Sequence, residues 1–466
     1  METISRWDRA RSERGRSSDW SPQTWQSRPA AQQPTWDEAE LEGALAELRG
    51  LPPLIFAGEA RRLREALARA GRGEAFVLQA GDCAESFGDF SADAIRDKLK
   101  LILQMAVVIA FGSGMPVVKI GRIAGQYAKP RSSPVESVDG EELPSFRGEA
   151  VNDPTFDRDA RRADPRRLLR AYDHSAAKLN LIRAFTKGGF ADLRRLHASN
   201  KDLLGSGAMG KKYARLTAQI ERSLRFMAAC GVDVERDPKL QEVDFYTSHE
   251  ALILGYEEAL TRRETLTDGW YACSAHFLWA GERTREPEGA HIEFLSGVEN
   301  PVGVKLGPSA RAEEVVELCA RLNPERRPGR LALITRLGRS EVERVLPELV
   351  SAVRASGDPV VWICDPMHGN TVTTPSGLKT RRFADIVAEI RHFFAVHRQA
   401  GTVPAGVHLE LTHEDVTECV GGSEKITNRR LHDRYRTLCD PRLNAHQALE
   451  IAFELGGILE AGAQAA

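Results

Sequence analysis

The sequence predicts an α/β fold, a (β/α)8 TIM barrel with an N-terminal extension and a helical insertion between strands 2 and 3. Eight short apolar runs, each bounded by Gly, Pro or Asp, alternate with helical patterns along most of the 466 residues. Strands that alternate with helices pack as a closed or open parallel sheet, and eight of them suit a barrel. The residues just after these runs are charged or metal-ligating at nearly every run. A barrel of this kind gathers its chemistry at those strand ends.

Residues 1–36 read as a partly flexible arm. Nine of the first twenty residues are charged, and a polar stretch with three prolines follows (SPQTWQSRPAAQQPTW). Trp20, Trp25 and Trp36 can tack the arm onto this chain or a neighbouring subunit. Residues 37–72 predict two amphipathic helices parted by Leu51-Pro52-Pro53. The barrel is expected over 73–460. Its strands are predicted at 75–78, 116–120, 243–246, 272–279, 302–306, 331–335, 360–364 and 407–411. Helices are expected at 91–111, with Ser91 as N-cap, and at 310–322, 340–356 and 382–400. About 120 residues separate the second and third strands, too many for a simple crossover. They hold an inserted helical subdomain, 140–240, with amphipathic helices at 165–185 and 216–230 and a charged loop before them.

Composition narrows the function. With 64 Lys+Arg against 66 Asp+Glu the chain is nearly neutral, so nothing drives it generally towards nucleic acid or anionic membrane. The longest apolar stretch, 101–112, is too short to span a bilayer and contains Gln104. The N-terminus lacks an apolar signal core, and its acidic residues argue against a transit peptide, so a cytoplasmic location is expected. The seven cysteines are scattered without a CxxC pair and read as cytosolic thiols.

Two chemistries fall at the strand ends. Cys83, His368, Glu410 and Asp440 offer a thiolate, an imidazole and two carboxylates. That set suits one borderline divalent transition metal such as manganese, iron, cobalt or zinc. Arg122, Lys129, Arg131, Arg283, Lys305 and Arg336 form a dense cationic set. Together they would repel one another unless an anion lay among them, and guanidinium forks match phosphate and carboxylate. A polyanionic ligand is therefore expected. Cys364, His249, His276 and His413 read instead as core or supporting groups.

The blocks GDCAE, RIAGQYAKPRS, SHEALIL, GERTR, NPVGVKLGP, CDPMHGN and CDPRLN, in this order, resemble the type II 3-deoxy-D-arabino-heptulosonate 7-phosphate (DAHP) synthases. The resemblance spans roughly residues 29–459. It implies condensation of phosphoenolpyruvate with erythrose 4-phosphate at the entry to the shikimate pathway, with release of phosphate. It implies metal ligands at Cys83, His368, Glu410 and Asp440. It implies phosphoenolpyruvate contacts at Arg122, Glu282, Arg283, Lys305 and Arg336, with Lys129 nearby. The KPRS segment, Lys129, Pro130, Arg131 and Ser132, resembles the part that holds erythrose 4-phosphate. Lys129, or a water held by Glu282, is expected to manage protons. Cys439 adjoins Asp440 and can pair with Cys83 on oxidation when metal is absent. The arm and insertion resemble elements used for subunit contacts and effector binding. They imply a homo-oligomer, dimer or tetramer, inhibited by aromatic amino acids. A chorismate mutase partner is open. The alternatives are a non-catalytic barrel and a metal-dependent barrel with a different substrate, such as an amidohydrolase or a metal aldolase.

Overall fold

The computed structural model describes residues 20–138, 140–188, 208–231, 233 and 242–464. Eight parallel strands close into a barrel. They are β1 (Phe76–Gly81), β2 (Val117–Arg122), β3 (Tyr246–Glu250), β4 (Phe277–Ala280), β5 (Val302–Leu306), β6 (Leu331–Thr335), β7 (Val360–Cys364) and β8 (Pro404–Glu410). Each strand pairs with its sequence neighbours, and β1 closes on β8 through Val77 beside Gly406 and Gly81 beside Glu410.

Burial on both faces explains why the strands read as short apolar runs and not as alternating ones. Phe76, Leu78 and Ala80 of β1 face the surrounding helices, while Val77 faces the barrel interior. The interior is packed by Val118, Ile120, Phe277, Trp279, Ile334 and Ile363, among others. Of the two N-terminal helices, α1 (Glu38–Gly50) and α2 (Ala57–Gly71), the second closes the floor, with Leu63, Leu67 and Ala70 in that interior cluster. The chemistry is thereby left to the opposite, C-terminal mouth.

The outer helices include α3 (Ala92–Ser113), which starts where the Ser91 hydroxyl accepts from the Ala94 amide at 3.1 Å and ends at left-handed Gly114. The inserted helices are α4 (Arg166–Lys187) and α5 (Ala208–Ala229). They are followed by α6 (Leu254–Ala259), α7 (Ala290–Gly297), α8 (Ala312–Leu322), α9 (Val342–Ser356), α10 (Phe383–Ala400) and α11 (Ala445–Gln464). Tyr213 and Leu216 of α5 join the apolar layer of α3 and α11. None of the described helices is long and apolar enough to cross a membrane.

Several boundaries differ from the sequence reading. The third strand starts at Tyr246, because Val243 and Phe245 pack on Leu99 and Leu103 before the chain enters the barrel. The run 272–279 is broken in two. Trp270–Ala272 pairs with Thr261–Arg263 in a hairpin, and β4 begins only at Phe277. Asn300 fixes the break, accepting from the Ala272 amide at 2.9 Å and donating to the Ala272 and Ala275 carbonyls at 2.9 and 3.1 Å. The eighth strand starts earlier, at Pro404, and the helix read at 216–230 starts at Ala208. The stretch read as loop before α4 contains one strand of a second hairpin, Val135–Val138 with Glu141–Pro144.

The arm's first 19 residues lie outside the described ones. From Trp20 it is docked on this chain. The Trp20 indole donates to the Glu293 carbonyl at 3.0 Å, and the Trp25 indole donates to Glu258 Oε2 at 3.0 Å. Gln33 donates to the Leu252 carbonyl at 2.7 Å.

Candidate functional site

The barrel mouth holds a cleft that is open to solvent. Arg122, Lys129, Pro130, Arg131, Ser132, Glu282, Arg283, Lys305, Arg336, His368 and Asp440 line it. Cys83 and Glu410 lie buried against it. Every residue singled out from the sequence therefore converges on one place. They arrive from the ends of β1, β2, β4, β5, β6, β7 and β8 and from the loop before α11.

The anionic donors are close-set. Cys83 Sγ, a Glu410 oxygen and an Asp440 oxygen all lie within 4.8 Å of one another. His368 Nε2 is 3.1 Å from Glu410 Oε1, and its Nδ1 is 2.7 Å from Asp365 Oδ2. The Asp365 carboxylate behind Nδ1 turns Nε2 towards Glu410 and the cluster, the orientation that a carboxylate gives a metal-bound imidazole. One soft thiol, one imidazole and two carboxylates fit a divalent transition metal. The Lys129 ammonium lies among these groups, 2.7 Å from Cys83 Sγ, 2.8 Å from Asp440 Oδ2 and 3.3 Å from Glu410 Oε1.

These charges set each other. Burial alone would push Asp440 up, but Lys129 and Arg381 hold it well below the carboxylate range. Burial likewise opposes ionised Glu410, and His368, Lys129 and Arg381 outweigh it. Burial pushes the Cys83 thiol up, and Cys83 hydrogen-bonds to Cys439.

The cationic side is built just as firmly. Arg122 donates to the Asp82 and Cys83 carbonyls at 2.8 and 2.9 Å and to Glu410 Oε1 at 3.0 Å. Lys305 Nζ is 2.7 Å from Asp365 Oδ2. Glu282 accepts from the Gly307 amide at 2.5 Å, Ser309 Oγ at 3.1 Å and Arg285 Nε at 3.1 Å. Its oxygens are already engaged. Glu250 reaches the cleft because residue 281 is glycine: a Cβ there would lie 2.2 Å from Glu250 Oε1.

The whole-chain comparison decides the family. The model of the class-II DAHP synthetase family matches residues 20–456. This chain belongs to that family. It is a barrel enzyme of the class-II DAHP synthetases, 53% identical over 431 residues to a phospho-2-dehydro-3-deoxyheptonate aldolase of Streptomyces coelicolor, covering 92% of this chain and 95% of that one. It is 46% identical over 438 residues to the phospho-2-dehydro-3-deoxyheptonate aldolase AroG of Mycolicibacterium smegmatis, covering 93% of each. Among solved structures, a phospho-2-dehydro-3-deoxyheptonate aldolase of Francisella tularensis is 13% identical, with a TM-score of 0.47, covering 89% of this chain and 96% of that one.

Sequence reasoning missed several groups that build this cleft. His408 is wholly buried, with Nδ1 2.8 Å from Gln79 Oε1. The Gln79 carbonyl assigns the proton to Nδ1, so Nε2 accepts from Arg122 at 2.7 Å and Lys305 at 3.2 Å. Burial and Lys305 hold it neutral. Its signal was available, since His408 and Glu410 stand two apart on one strand and so face the same side. Asp365 sits inside the CDPMHGN block, and its double contact with Lys305 and His368 needed coordinates. Arg381, fully buried, donates to Glu410 Oε2 at 2.8 Å and to the Pro441 carbonyl. Lys379 reaches Asp440 Oδ1 at 3.1 Å. Neither of these two residues follows a barrel strand, so the strand-end rule passed over them. Of the histidines read as supporting groups, His249 and His276 are buried, His249 pairing with Glu257 at 2.7 Å and His276 accepting from the Thr247 amide at 2.9 Å, whereas His413 is half-buried.

Proposed function

We propose that this class-II family member condenses phosphoenolpyruvate with erythrose 4-phosphate and water, giving DAHP and phosphate. The observation that carries the reading is one cleft uniting a metal-competent donor cluster with cations from several strand ends. Two substrates that together bring two phosphates and a carboxylate match that charge. In this reading Arg122, Arg283, Lys305 and Arg336 hold the phosphoenolpyruvate anions, and Arg131 and Ser132 hold the sugar phosphate. Binding both against their mutual repulsion fixes the reacting carbons together.

Cys83, His368, Glu410 and Asp440 would hold a divalent metal, manganese first, which when bound supplies Lewis acidity towards the sugar aldehyde. C3 of phosphoenolpyruvate attacks the aldehyde carbon. Lys129, whose ammonium borders both the donor cluster and the cleft, delivers the proton that turns the aldehyde oxygen into a hydroxyl. Water then adds at C2 and loses a proton. The resulting hemiketal phosphate collapses with cleavage of its C–O bond, forming the ketone and expelling phosphate. Glu282, with its oxygens held by Gly307, Ser309 and Arg285, orients the cleft as a fixed carboxylate.

The test is consumption of phosphoenolpyruvate by metal-stripped protein, with and without Mn²⁺ and with and without the sugar. Loss that needs both supports the reading. Folded protein that consumes none with any divalent metal would sink it and favour a barrel without this chemistry. Lys129→Met with unchanged turnover at saturating substrates would remove Lys129 from proton transfer.

We further infer a cytoplasmic homo-oligomer inhibited by aromatic amino acids through the arm and the inserted helices. Seven free thiols and Phe226, 71% exposed on α5, support this. A monomer by light scattering, unaffected in rate by Phe, Tyr or Trp, would overturn it.

A further inference from the structure

Glu136 lies on the first strand of the hairpin formed by Val135–Val138 and Glu141–Pro144. Its carboxylate spans two guanidiniums. Oε1 accepts from Arg131 Nη2, and Oε2 accepts from Arg161 Nη1 at 2.8 Å. The two arginines differ in kind. Arg161 is buried and also donates to the carbonyls of Thr155, Pro154 and Pro144 at 2.9, 3.0 and 3.2 Å. It is fixed scaffold. The Arg131 side chain is 20% exposed and borders the cleft. The Arg131 backbone is held separately, its amide donating to Gln32 Oε1 at 2.9 Å. Its guanidinium can therefore change partner without moving the chain.

We propose that Glu136 is a built-in competitor for the Arg131 guanidinium, which the sugar phosphate must displace, leaving the carboxylate on Arg161. The proposal rests on the assignment of Arg131 to that phosphate. A phosphate near pH 7 carries close to twice the charge of a carboxylate and more acceptor oxygens. It gains from the exchange, whereas a carboxylate or chloride ion only replaces like with like. The resident carboxylate thus acts against wrong anions, an element of selectivity by exclusion. Because Arg131 and Glu136 are both partly exposed, solvent screens their pairing and keeps it displaceable.

Three variants, Glu136→Gln, Glu136→Asp and Arg131→Met, test this in steady-state assays with inorganic phosphate as a competitor of the sugar. Glu136→Gln keeps the volume and an acceptor for Arg161 but loses the charge. It should lower the KM for erythrose 4-phosphate about threefold to fivefold and the Ki of inorganic phosphate by the same factor. The KM for phosphoenolpyruvate should not follow. Glu136→Asp, too short to span both guanidiniums, should move in the same direction by less, and it carries the test if the glutamine variant does not fold. Arg131→Met should raise the KM for the sugar. If Arg131→Met leaves that KM unchanged, the assignment of Arg131 falls and this proposal with it. If Arg131→Met raises it while removal of the Glu136 charge leaves both constants unchanged, or weakens sugar binding, Arg131 keeps its role and Glu136 is only scaffold.

Discussion

Asp365 serves both halves of the site at once. One oxygen is 2.7 Å from Lys305 Nζ and 2.7 Å from His368 Nδ1. Burial opposes its charge, and His368 and Lys305 overcome it, holding the carboxyl well below its usual range. Asp365→Asn should therefore leave the donor cluster complete yet misorient His368. Mn²⁺ affinity should fall roughly 10- to 100-fold, the usual cost of losing a carboxylate behind a metal-bound imidazole. Calorimetry on metal-stripped protein would read this, and an unchanged affinity would rule out the orienting role. His397 gives a pH argument far from the site. Its Nδ1 is 2.7 Å from Thr402 Oγ1, and its ring packs 4.5 Å from Phe393 and 5.4 Å from Trp362. Burial pulls its pKa down from 6.5 to about 3. The unfolded chain takes a proton near 6.5, while the folded chain refuses it until about 3. Across that window the unfolded state binds more protons, so stability falls as the pH drops. By pH 5 this residue alone removes about 2 kcal/mol. His397→Phe should flatten the fall in melting temperature between pH 7 and pH 5. Equal falls in variant and wild type would show that His397 is not the group responsible.

At the scale of elements, the arm is held by contacts that leave little room. A Cβ on Gly297, in α7, would lie 1.9 Å from the Trp20 ring. Trp20 also meets Trp270 edge-on, with centroids 6.4 Å apart. Gly297→Ala should expel Trp20 and cost roughly 1–3 kcal/mol where the ring cannot shift. Trypsin should then cut faster after Arg28, and an unchanged cleavage rate would mean that the arm tolerates the methyl group. The tryptophans made docking legible in the sequence, but the seat did not show, because a glycine closing a helix gives no sign of what leans on it. Boundaries were lost for similar reasons. The run 272–279 reads as one strand by composition, and its break comes from Asn300, more than twenty residues downstream. The strand at Glu141–Pro144 lay hidden in a charged stretch because its hairpin stands largely in solvent and has no apolar rhythm. The buried parallel strands were legible because burial on both faces demands continuous apolar residues.

For the whole molecule, the mouth of the barrel works as a charge balance. That much of it was legible follows from geometry: parallel strands send their C-terminal ends to one rim, so a list of strand ends is already a list of neighbours. The compensating groups, Arg381, His408 and Asp365, depend on which side chain meets which. Lys129 is the pivot of the balance, because its ammonium lies against Cys83, Glu410 and Asp440 together. There it offsets charge that the proposed metal ion would otherwise neutralise. Lys129→Met should leave that cluster uncompensated and cost roughly 3–5 kcal/mol, as for other buried pairs deprived of one partner. A metal bound at the proposed ligands would stabilise wild type by mass action, about 2.7 kcal/mol at a hundredfold excess over the Kd. In the variant the same ion would also relieve the uncompensated anionic cluster, so the metal-induced rise in melting temperature should be larger than in wild type. Melting both proteins with chelator and with Mn²⁺ gives the comparison directly. Equal rises would mean that Lys129 and the metal act on separate charges, and the ammonium would then belong to the substrate side of the cleft alone.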